Sequence, residues 1–326
     1  MTTIKDKILQ RFLAAGDEPI SGQQLADELN VSRTAIWKHM QTLQQEGYTF
    51  ETIKKKGYQL IAKSEKIDDV QITAHLSTER YGRKIYHYDE VTSTQLIAHD
   101  LVRENTVDGT IVIAETQTAG RGRMLRPWDS TAGKGIWMTV IIRPDILPFQ
   151  APQFTLVTAV AVVNAMRDLF TNFTPIIKWP NDILINGKKC VGILTEMIAE
   201  TDRVQALLIG IGINVHQQVD DFPEELQSIA TSIAIEEGKQ IDRALFVAKI
   251  LYYLEKYSDL YIQHGFAPIK ELWEQSSGTI GKMVRATTLL EVIEGEAIGI
   301  TESGVLEIRT ASGEIKGVYS ADIEIK

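Results

Sequence analysis

The chain has little of the chemistry that cross-links small or exported proteins. It contains one cysteine, Cys190, among 326 residues, so an intrachain disulfide is excluded. Its six histidines show no close ligand spacing, which argues against a structural metal site. We therefore expect a protein with neither an intrachain disulfide nor a structural metal.

Long apolar runs are equally scarce. The longest, residues 154–163, is interrupted by two threonines and is too short to cross a bilayer. The N-terminus lacks the basic segment followed by an apolar one that marks a signal peptide. With 44% hydrophobic and 24% charged residues, the composition is ordinary for a globular protein of two or three domains. We expect a cytoplasmic protein with no membrane partner.

The net charge of -9 is unevenly distributed. Residues 1–62 carry eight basic and seven acidic side chains, so the acidic excess lies in the rest of the chain. Within residues 32–58 the balance is five basic to two acidic. A local basic face on an acidic protein indicates a nucleic-acid partner.

The first 64 residues have the pattern of a winged helix-turn-helix. Residues 3–15 place apolar side chains at helical spacing. Ser21 and Gln24 predict a capping box for a second helix, and Ser32 predicts the N-cap of a third, which stops at Gly47. The stretch "YTFETIKKKGYQL" predicts two short strands around a turn. Three helices and a basic hairpin compose this domain.

The third helix and the turn carry the predicted DNA contacts. In the major groove, Arg33 and Gln41 could reach base edges and Lys38 a phosphate. The lysines of the turn would add salt-sensitive attraction. The alternative is a protein-interaction module with a solvated lysine turn. The candidate DNA-binding residues are Arg33, Thr34, Trp37, Lys38, Gln41, Lys54, Lys55 and Lys56.

The remaining chain predicts a multidomain α+β protein. Residues 62–69 are polar and indicate a linker. In residues 65–276 strands outnumber helices without alternating with them, which favours a central α+β domain with a mixed sheet. Long helices are predicted at residues 151–170 and 242–263. Residues 277–326 combine short strands with regular glycines, the pattern of a C-terminal SH3-like β-barrel.

"TAGRGRMLRPW", residues 118–128, is the first of three notable stretches in the central domain. It alternates glycine with Arg121, Arg123 and Arg126. Glycine supplies backbone freedom, and arginine is the side chain best suited to planar anions. The stretch predicts a loop that wraps an anionic ligand and closes over it.

"KWPNDILINGKKCVG", residues 178–192, is the second stretch. The pair Asn186-Gly187 predicts a tight hairpin between two strands. Lys188 and Lys189 would then lie on opposite faces, so only one can point into a site. Cys190 most simply packs as a small hydrophobe.

Other polar groups have simpler readings when taken alone. Asn181 and Asp182 after a proline could form only a turn. Ser93 and Thr94 could equally cap a helix that starts near Gln95, a role that is compatible with ligand binding. The third stretch, "GIGINV" at residues 210–215, lacks the third glycine and the helix of a phosphate-binding motif.

Taken together, these three stretches behind a winged helix closely resemble the bifunctional biotin protein ligases that also act as biotin operon repressors. The resemblance covers the whole chain, and one departure is Gln95, where relatives often have Asn. It implies that biotin and MgATP give biotinyl-5′-adenylate and pyrophosphate. A lysine on a biotin-carrier domain, of acetyl-CoA carboxylase or pyruvate carboxylase, then takes the biotinyl group.

The resemblance also implies roles for individual residues. The junction of the two anionic substrates is assigned to the catalytic cations Lys189, Arg121 and Arg123. Biotin binding is assigned to Ser93, Thr94, Gln117, Gly120, Arg121, Lys189 and Gly192. Adenylate binding is assigned to Arg123, Arg126, Trp128, Asp182 and Asn214. Asn181 or Asp182 would hold Mg²⁺ through oxygen.

Regulation is implied as well. With adenylate bound, two chains form a homodimer whose two winged helices match a palindromic operator. Three alternatives remain open at this point: a biotin-sensing repressor without ligase activity, a lipoate-ligase-like acyltransferase, and a ligase whose winged helix does not bind DNA.

Overall fold

A computed structural model describes residues 3–326. The chain divides into two compact units, one ending at Leu76 and one spanning Ser77–Lys326.

The first unit is a helical domain with a two-stranded wing, as predicted. Its elements are α1 (Ile4–Ala15), α2 (Gly22–Leu29), α3 (Arg33–Gln45), β1 (Thr49–Ile53), β2 (Gly57–Ala62) and α4 (Asp69–His75). One face of each of the first three helices is apolar, and these faces form a shared core. Its buried side chains include Ile8, Leu9, Phe12, Leu25, Ile36, Met40 and Leu43.

Two serines begin helices as the sequence predicts. The hydroxyl of Ser32 accepts from the amide of Ala35 at 3.1 Å, and that of Ser21 accepts from the amide of Gln24 at 3.0 Å. The Gln24 side chain donates to Glu28 instead of returning to Ser21. The predicted capping box is therefore wrong in its second half, because the Gln24 side chain extends toward a carboxylate one turn later and does not accept from the Ser21 amide.

The segment that the sequence indicates as a linker is held against the first unit. The Ser64 hydroxyl donates to the carbonyl of Glu46 at 2.8 Å. The Gln71 amide donates to the Tyr48 hydroxyl at 2.8 Å and to the Lys66 carbonyl at 2.9 Å. These contacts hold the segment within the compact unit that ends at Leu76.

The second unit is built on the predicted mixed sheet. Its strands are β3 (Ile85–Val91), β4 (Thr110–Gln117), β5 (Gly135–Ile142), β6 (Ile176–Lys178), β7 (Asp182–Ile185), β8 (Lys188–Ala199) and β9 (Val204–Asn214). Their order is β3-β4-β5-β9-β8-β7-β6, with β3 and β4 parallel and the other neighbours antiparallel.

Helices cover both faces of this sheet. They are α5 (Thr94–Arg103), α6 (Gln153–Leu169), α7 (Ile233–Glu237), α8 (Arg243–His264) and α9 (Ala267–Gln275). On α5, His99 contacts Glu196 of β8, whereas on α6 Thr155 contacts the preceding residue of that strand, Thr195. Side chains alternate along a strand, so α5 and α6 lie on opposite faces.

One segment, Pro148–Leu169, is long and apolar enough to cross a membrane by length and composition alone. Within it, 72% of the most apolar window is buried inside the protein. Its helix, α6, packs against α8, α9 and the sheet. Core packing therefore accounts for its apolar composition.

The chain ends in a five-stranded antiparallel sheet, also within the second unit. Its strands are β10 (Met283–Thr287), β11 (Val292–Ile300), β12 (Leu306–Thr310), β13 (Ile315–Val318) and β14 (Asp322–Ile325). Their order is β13-β12-β11-β10-β14. This arrangement fits the predicted SH3-like barrel, whose closure stays a prediction, as do the domain limits 1–64, 65–276 and 277–326.

Candidate active site

A cavity of about 420 Å³ opens on the α5 face of the large sheet. Its wall includes the start of α5, the loop of residues 118–128, called here the Gly-Arg loop, and strands β7 to β9. The predicted ligand-binding residues on the wall are Ser93, Thr94, Gln117, Arg121, Arg123, Arg126, Trp128, Asn181, Asp182, Lys189, Gly192 and Asn214. Three motifs that are distant in sequence therefore meet at one site, and their roles toward ligands stay a prediction.

Gly120 is the one predicted pocket residue that does not line the cavity. A Cβ there would lie 2.5 Å from the carbonyl oxygen of Trp128 and 2.8 Å from the hydroxyl of Ser130. Its missing side chain thus allows close packing behind the wall. Its proposed contact with biotin stays a prediction.

A buried polar set lies where α5 begins. The side-chain Oε1 of Gln117 accepts from the backbone amide of Thr94 at 2.9 Å, and the Thr94 hydroxyl lies 2.8 Å from that of Thr139. Ser93 occupies the N-cap position, but its side chain makes no capping hydrogen bond. The hydroxyl-capping alternative for this pair is therefore wrong.

Gln95 is the departure noted in the sequence, and it is 3% exposed. Its amide nitrogen lies 3.4 Å from the carbonyls of Leu194 and Leu208. Within residues 3–326 its buried Oε1 has no hydrogen-bond partner. A free acceptor on a cavity wall suits a ligand N–H group.

The backbone of the Gly-Arg loop folds back on itself. The Gly122 amide donates to the Arg126 carbonyl at 2.8 Å, and the Trp128 amide donates to the Gly120 carbonyl at 2.9 Å. At the tip, Met124 and Leu125 have φ of 54° and 59°. Two successive non-glycine residues in this region are uncommon and mark local strain.

Two of the loop arginines contact carboxylates. The Arg121 guanidinium lies 3.2 Å from Glu196, and its buried Nε has no partner within the described chain. Arg126 pairs with Asp322 of β14. The C-terminal sheet thus holds part of this loop.

Arg123 differs because its hydrogen-bond partners are neutral. It donates to the Asn181 side-chain oxygen at 2.9 Å and to the Ser320 hydroxyl at 2.7 Å. Burial lowers the pKa of its guanidinium, although nearby Asp182 and Asp322 oppose that effect. An arginine this basic stays charged, so Arg123 is a partly buried cation ready for an anion.

The hairpin between β7 and β8 forms as predicted, with positive φ at Asn186 and Gly187. Lys189 lines the cavity, and its Nζ lies 2.7 Å from an oxygen of Asp182. Lys188 donates to the carbonyl of Gln227. The prediction that only one of these two lysines faces the site is confirmed.

The two candidate metal ligands are not equivalent. The Asn181 side chain accepts from Arg123 and donates to the Ile193 carbonyl, so both of its polar atoms are used. The Asp182 carboxylate has an ion pair with Lys189. No group of three or more metal-ligating side chains occurs in residues 3–326. An oxygen set this sparse fits Mg²⁺ held mainly by substrate phosphates and water.

At the end of β9, Asn214 is 7% exposed and donates to the Thr231 carbonyl at 3.0 Å. Its side-chain oxygen accepts from Gln217 at 3.2 Å. Cys190, directly behind, is fully buried, and burial raises the pKa of its thiol. The prediction that this cysteine packs as a small hydrophobe is confirmed.

Several cavity residues escaped the sequence analysis. They are Asp129, Thr131, Lys134, Trp137, Gln217, Asp221, Phe222 and Asp322. Lys134 stands between two glycines, a local signal that could have been noticed. Asp322 lies 196 residues from the arginine it contacts, and no local pattern marks it.

The predicted DNA-binding residues are all exposed. Arg33, Thr34, Lys38 and Gln41 are exposed on α3, and Trp37 is 50% exposed. The three turn lysines, Lys54, Lys55 and Lys56, are exposed as well. The outer face predicted for α3 is therefore correct.

Three family models match the chain. Residues 88–214 match the biotin/lipoate A/B protein ligase family, residues 5–59 match a helix-turn-helix domain, and residues 279–326 match the biotin protein ligase C-terminal domain. The biotin protein ligase of Aquifex aeolicus, solved in complex with biotin and ATP, is similar, with a TM-score of 0.64 and 30% identity. That match covers 75% of this chain and 99% of the other.

Relatives match over nearly the whole length. The bifunctional ligase/repressor BirA of Bacillus subtilis is 50% identical over 324 residues, 99% of both chains. That of Escherichia coli is 30% identical, over 96% of this chain and 95% of its own. The chain belongs to the family of bifunctional biotin protein ligases and biotin operon repressors.

Proposed function

We propose that this chain makes biotinyl-5′-adenylate from biotin and ATP and transfers the biotinyl group to a lysine of a carboxylase. We further propose that the adenylate is its corepressor at the biotin operon. The observation that carries the proposal is the meeting of the three motifs around one cavity. Relatives named as ligase/repressors and a similar ligase solved with biotin and ATP support it.

Biotin would bind at the polar end of the cavity. Ser93, Thr94 and Gln117 offer hydroxyl and amide groups to its ureido ring, and the free Oε1 of Gln95 can accept from a ring N–H. Because these groups are buried, a ligand that leaves them unpaired binds poorly. This end of the cavity would select biotin.

Lysine and arginine side chains would offset the negative charge that builds up when the adenylate forms. A carboxylate oxygen of biotin attacks the α-phosphorus, and the bond from that phosphorus to pyrophosphate breaks. Both reactants are anionic, so fixed positive groups lower the barrier. Lys189 and Arg121 would lie at the junction, while Arg123 and Arg126 would bind the adenylate beside Trp128 and Asn214.

Mg²⁺ would be held by the Asp182 carboxylate together with the ATP phosphates and water. When bound, it neutralises phosphate charge. Asn181 would act indirectly, because its side chain already orients Arg123.

The second step needs no nucleophile from the enzyme, because the mixed anhydride is itself an acyl donor. The amine of the acceptor lysine attacks the acyl carbon, and AMP leaves. The proposed acceptors are the biotin-carrier domains of acetyl-CoA carboxylase and pyruvate carboxylase, and the protein would act in the cytoplasm. Closing the loop over the adenylate would protect it from water until the acceptor arrives.

Repression would couple the same ligand to DNA binding. We infer a homodimer that the adenylate promotes and that presents two α3 helices to a palindromic operator. The ligand must favour the dimer-competent form, since equal affinity for both forms would shift nothing.

Native mass spectrometry of the full chain tests the proposal. With biotin and MgATP we expect bound biotinyl-adenylate and a shift toward dimer, followed by a mass increase on an added biotin-carrier domain. Biotin bound unchanged, with no labelled carrier, would favour the biotin-sensing repressor. Adenylation of lipoate in place of biotin would favour the lipoate-ligase alternative.

A further inference from the structure

Lys134 is a cavity residue that none of the three motifs contains. It lies between Gly133 and Gly135 at the start of β5. Its Nζ lies 2.8 Å from an oxygen of Asp221, and each side chain is 34% exposed on the cavity wall. A lysine in this position is both solvent-accessible and directed into the site.

A buried ion pair fixes the backbone on both sides of Lys134. Arg243 and Glu115 have side chains 3% and 4% exposed. The Gly133 amide donates to Glu115 at 3.0 Å, and Arg243 donates to the Gly135 carbonyl at 2.8 Å. Burying such a pair contributes little stability by itself. Its structural consequence is a rigid support for the lysine between the two glycines.

The position of Lys134 at the start of β5 determines which part of a ligand its side chain can reach. Thr139 contacts Thr94 at the polar end of the cavity, whereas Gly135 pairs with Asn214. Four residues of strand separate these two points, or about 13 Å. The Lys134 carbonyl also accepts from the amides of Val215 and His216. Lys134 therefore lies at the Asn214 end of the cavity, away from Thr94 and the other polar groups proposed to bind the ureido ring.

We propose that Lys134 is a further ATP-binding residue, whose ammonium leaves Asp221 to contact the phosphate chain of the nucleotide. This inference rests on the proposed function. An ammonium on a flexible stem is a compact point charge that can change partners without moving the backbone. A polyphosphate carries more negative charge than one carboxylate, so it competes well with Asp221.

Steady-state kinetics and calorimetry on the full chain test this. We expect Lys134→Ala to raise KM for MgATP about tenfold, the loss of one charged hydrogen bond, with the Kd for biotin unchanged. Lys134→Arg should retain most of the ATP affinity. Asp221→Asn should leave KM for ATP equal or lower, because it releases the ammonium. If Lys134 only supports Asp221, Asp221→Asn will instead reproduce the Lys134→Ala defect.

Lys188→Ala is the matched control, since Lys188 is a lysine of β8, next to the cavity residue Lys189, whose own side chain donates to the Gln227 carbonyl outside the cavity wall. An unchanged KM for ATP in Lys134→Ala, or an equal loss of biotin affinity, would overturn the inference. A wild-type chain that forms no adenylate would overturn the proposed function itself. The two failures are therefore distinguishable.

Discussion

Gly192 of β8 and Gly212 of β9 are paired across the sheet, and the indole of Trp128 fills the space above both. Added Cβ atoms would lie 2.8 Å and 2.7 Å from that ring. The indole also contacts Trp137 edge to face. The Nζ of Lys189 lies 5.3 Å from the centroid of the Trp128 ring. The two glycines thus set the height of an aromatic side chain in the proposed nucleotide site.

We expect Gly212→Ala to displace Trp128 and weaken adenylate binding about tenfold or more, because a rigid ring cannot absorb so close a contact. Calorimetry with a non-hydrolysable adenylate analogue measures the loss. Gly299→Ala is the control, since its Cβ would meet only Glu274, at 3.7 Å. Equal affinity in both variants would show that the ring position is unimportant.

Arg123→Ala should weaken adenylate retention more than biotin binding. Its guanidinium is partly buried and hydrogen-bonded to neutral groups, so a phosphate is its natural counter-ion. We expect an adenylate dissociation rate at least about tenfold higher. Stopped-flow release and biotin calorimetry separate the two ligands, and equal losses for both would contradict this role.

Lys189→Ala should abolish adenylation, because it removes the cation proposed to lie between the biotin carboxylate and the ATP α-phosphate. It also removes the ion pair between Lys189 and Asp182. Pyrophosphate release measures this step directly. Lys188→Ala, on the neighbouring residue, should release pyrophosphate at the wild-type rate. Near-normal release by Lys189→Ala would disprove the assignment.

Arg33→Ala should lower operator affinity while leaving ligation intact. Arg33 is exposed on α3 of the first unit, whereas the residues that line the cavity belong to the second unit. A lost base contact costs about 1–3 kcal/mol of discrimination. Electrophoretic mobility shifts at several salt concentrations test it. Arg11→Ala, which removes a surface ion pair with Glu28, should bind operator normally. A parallel fall in ligation would indicate misfolding.

Glu255→Gln should destabilise the second unit in a pH-dependent way. The Glu255 carboxylate accepts from the backbone amides of Glu79, Arg80 and Tyr81 at 2.7–2.8 Å. Burial by itself would raise its pKa, but these donors prevail, and the pKa lies below its ordinary 4.5. A carboxyl with a lowered pKa stabilises the fold above the unfolded value and loses that contribution as pH falls through the folded value.

At pH 7 we expect Glu255→Gln to cost about 1–3 kcal/mol, because an amide can accept but also presents a donor to the three N–H groups. Urea denaturation should show this gap narrowing below pH 4.5. Glu271→Gln, on exposed α9 surface, serves as control. A gap that stays constant with pH would contradict the charged role.

Local chemistry made much of the fold predictable. Ser32 begins α3 because its hydroxyl can satisfy an amide three residues away. The turn at Asn186 and Gly187 forms because both residues tolerate positive φ. The winged helix, the strand positions and the opposite directions of Lys188 and Lys189 follow from such short-range rules.

Local sequence patterns did not predict every contact that a residue makes in the folded chain. Gln24 could have completed a capping box but bonds to Glu28. Gly120 shares a motif with the arginines but lies behind the cavity wall, where a Cβ would be too close to Trp128 and Ser130. A motif identifies residues that work together without saying which of them face the cavity.

The sequence by itself determined the winged helix, the mixed sheet and the residues that bear positive charge toward an anion. Only the tertiary structure decided how those charges are held. Arg126 meets Asp322 across 196 residues, and Lys134 stands on a support made by Glu115 and Arg243, 128 residues apart. The physical reason is that capping and turns involve neighbours in the chain, whereas ion pairing and cavity shape depend on which distant surfaces the packed core brings together.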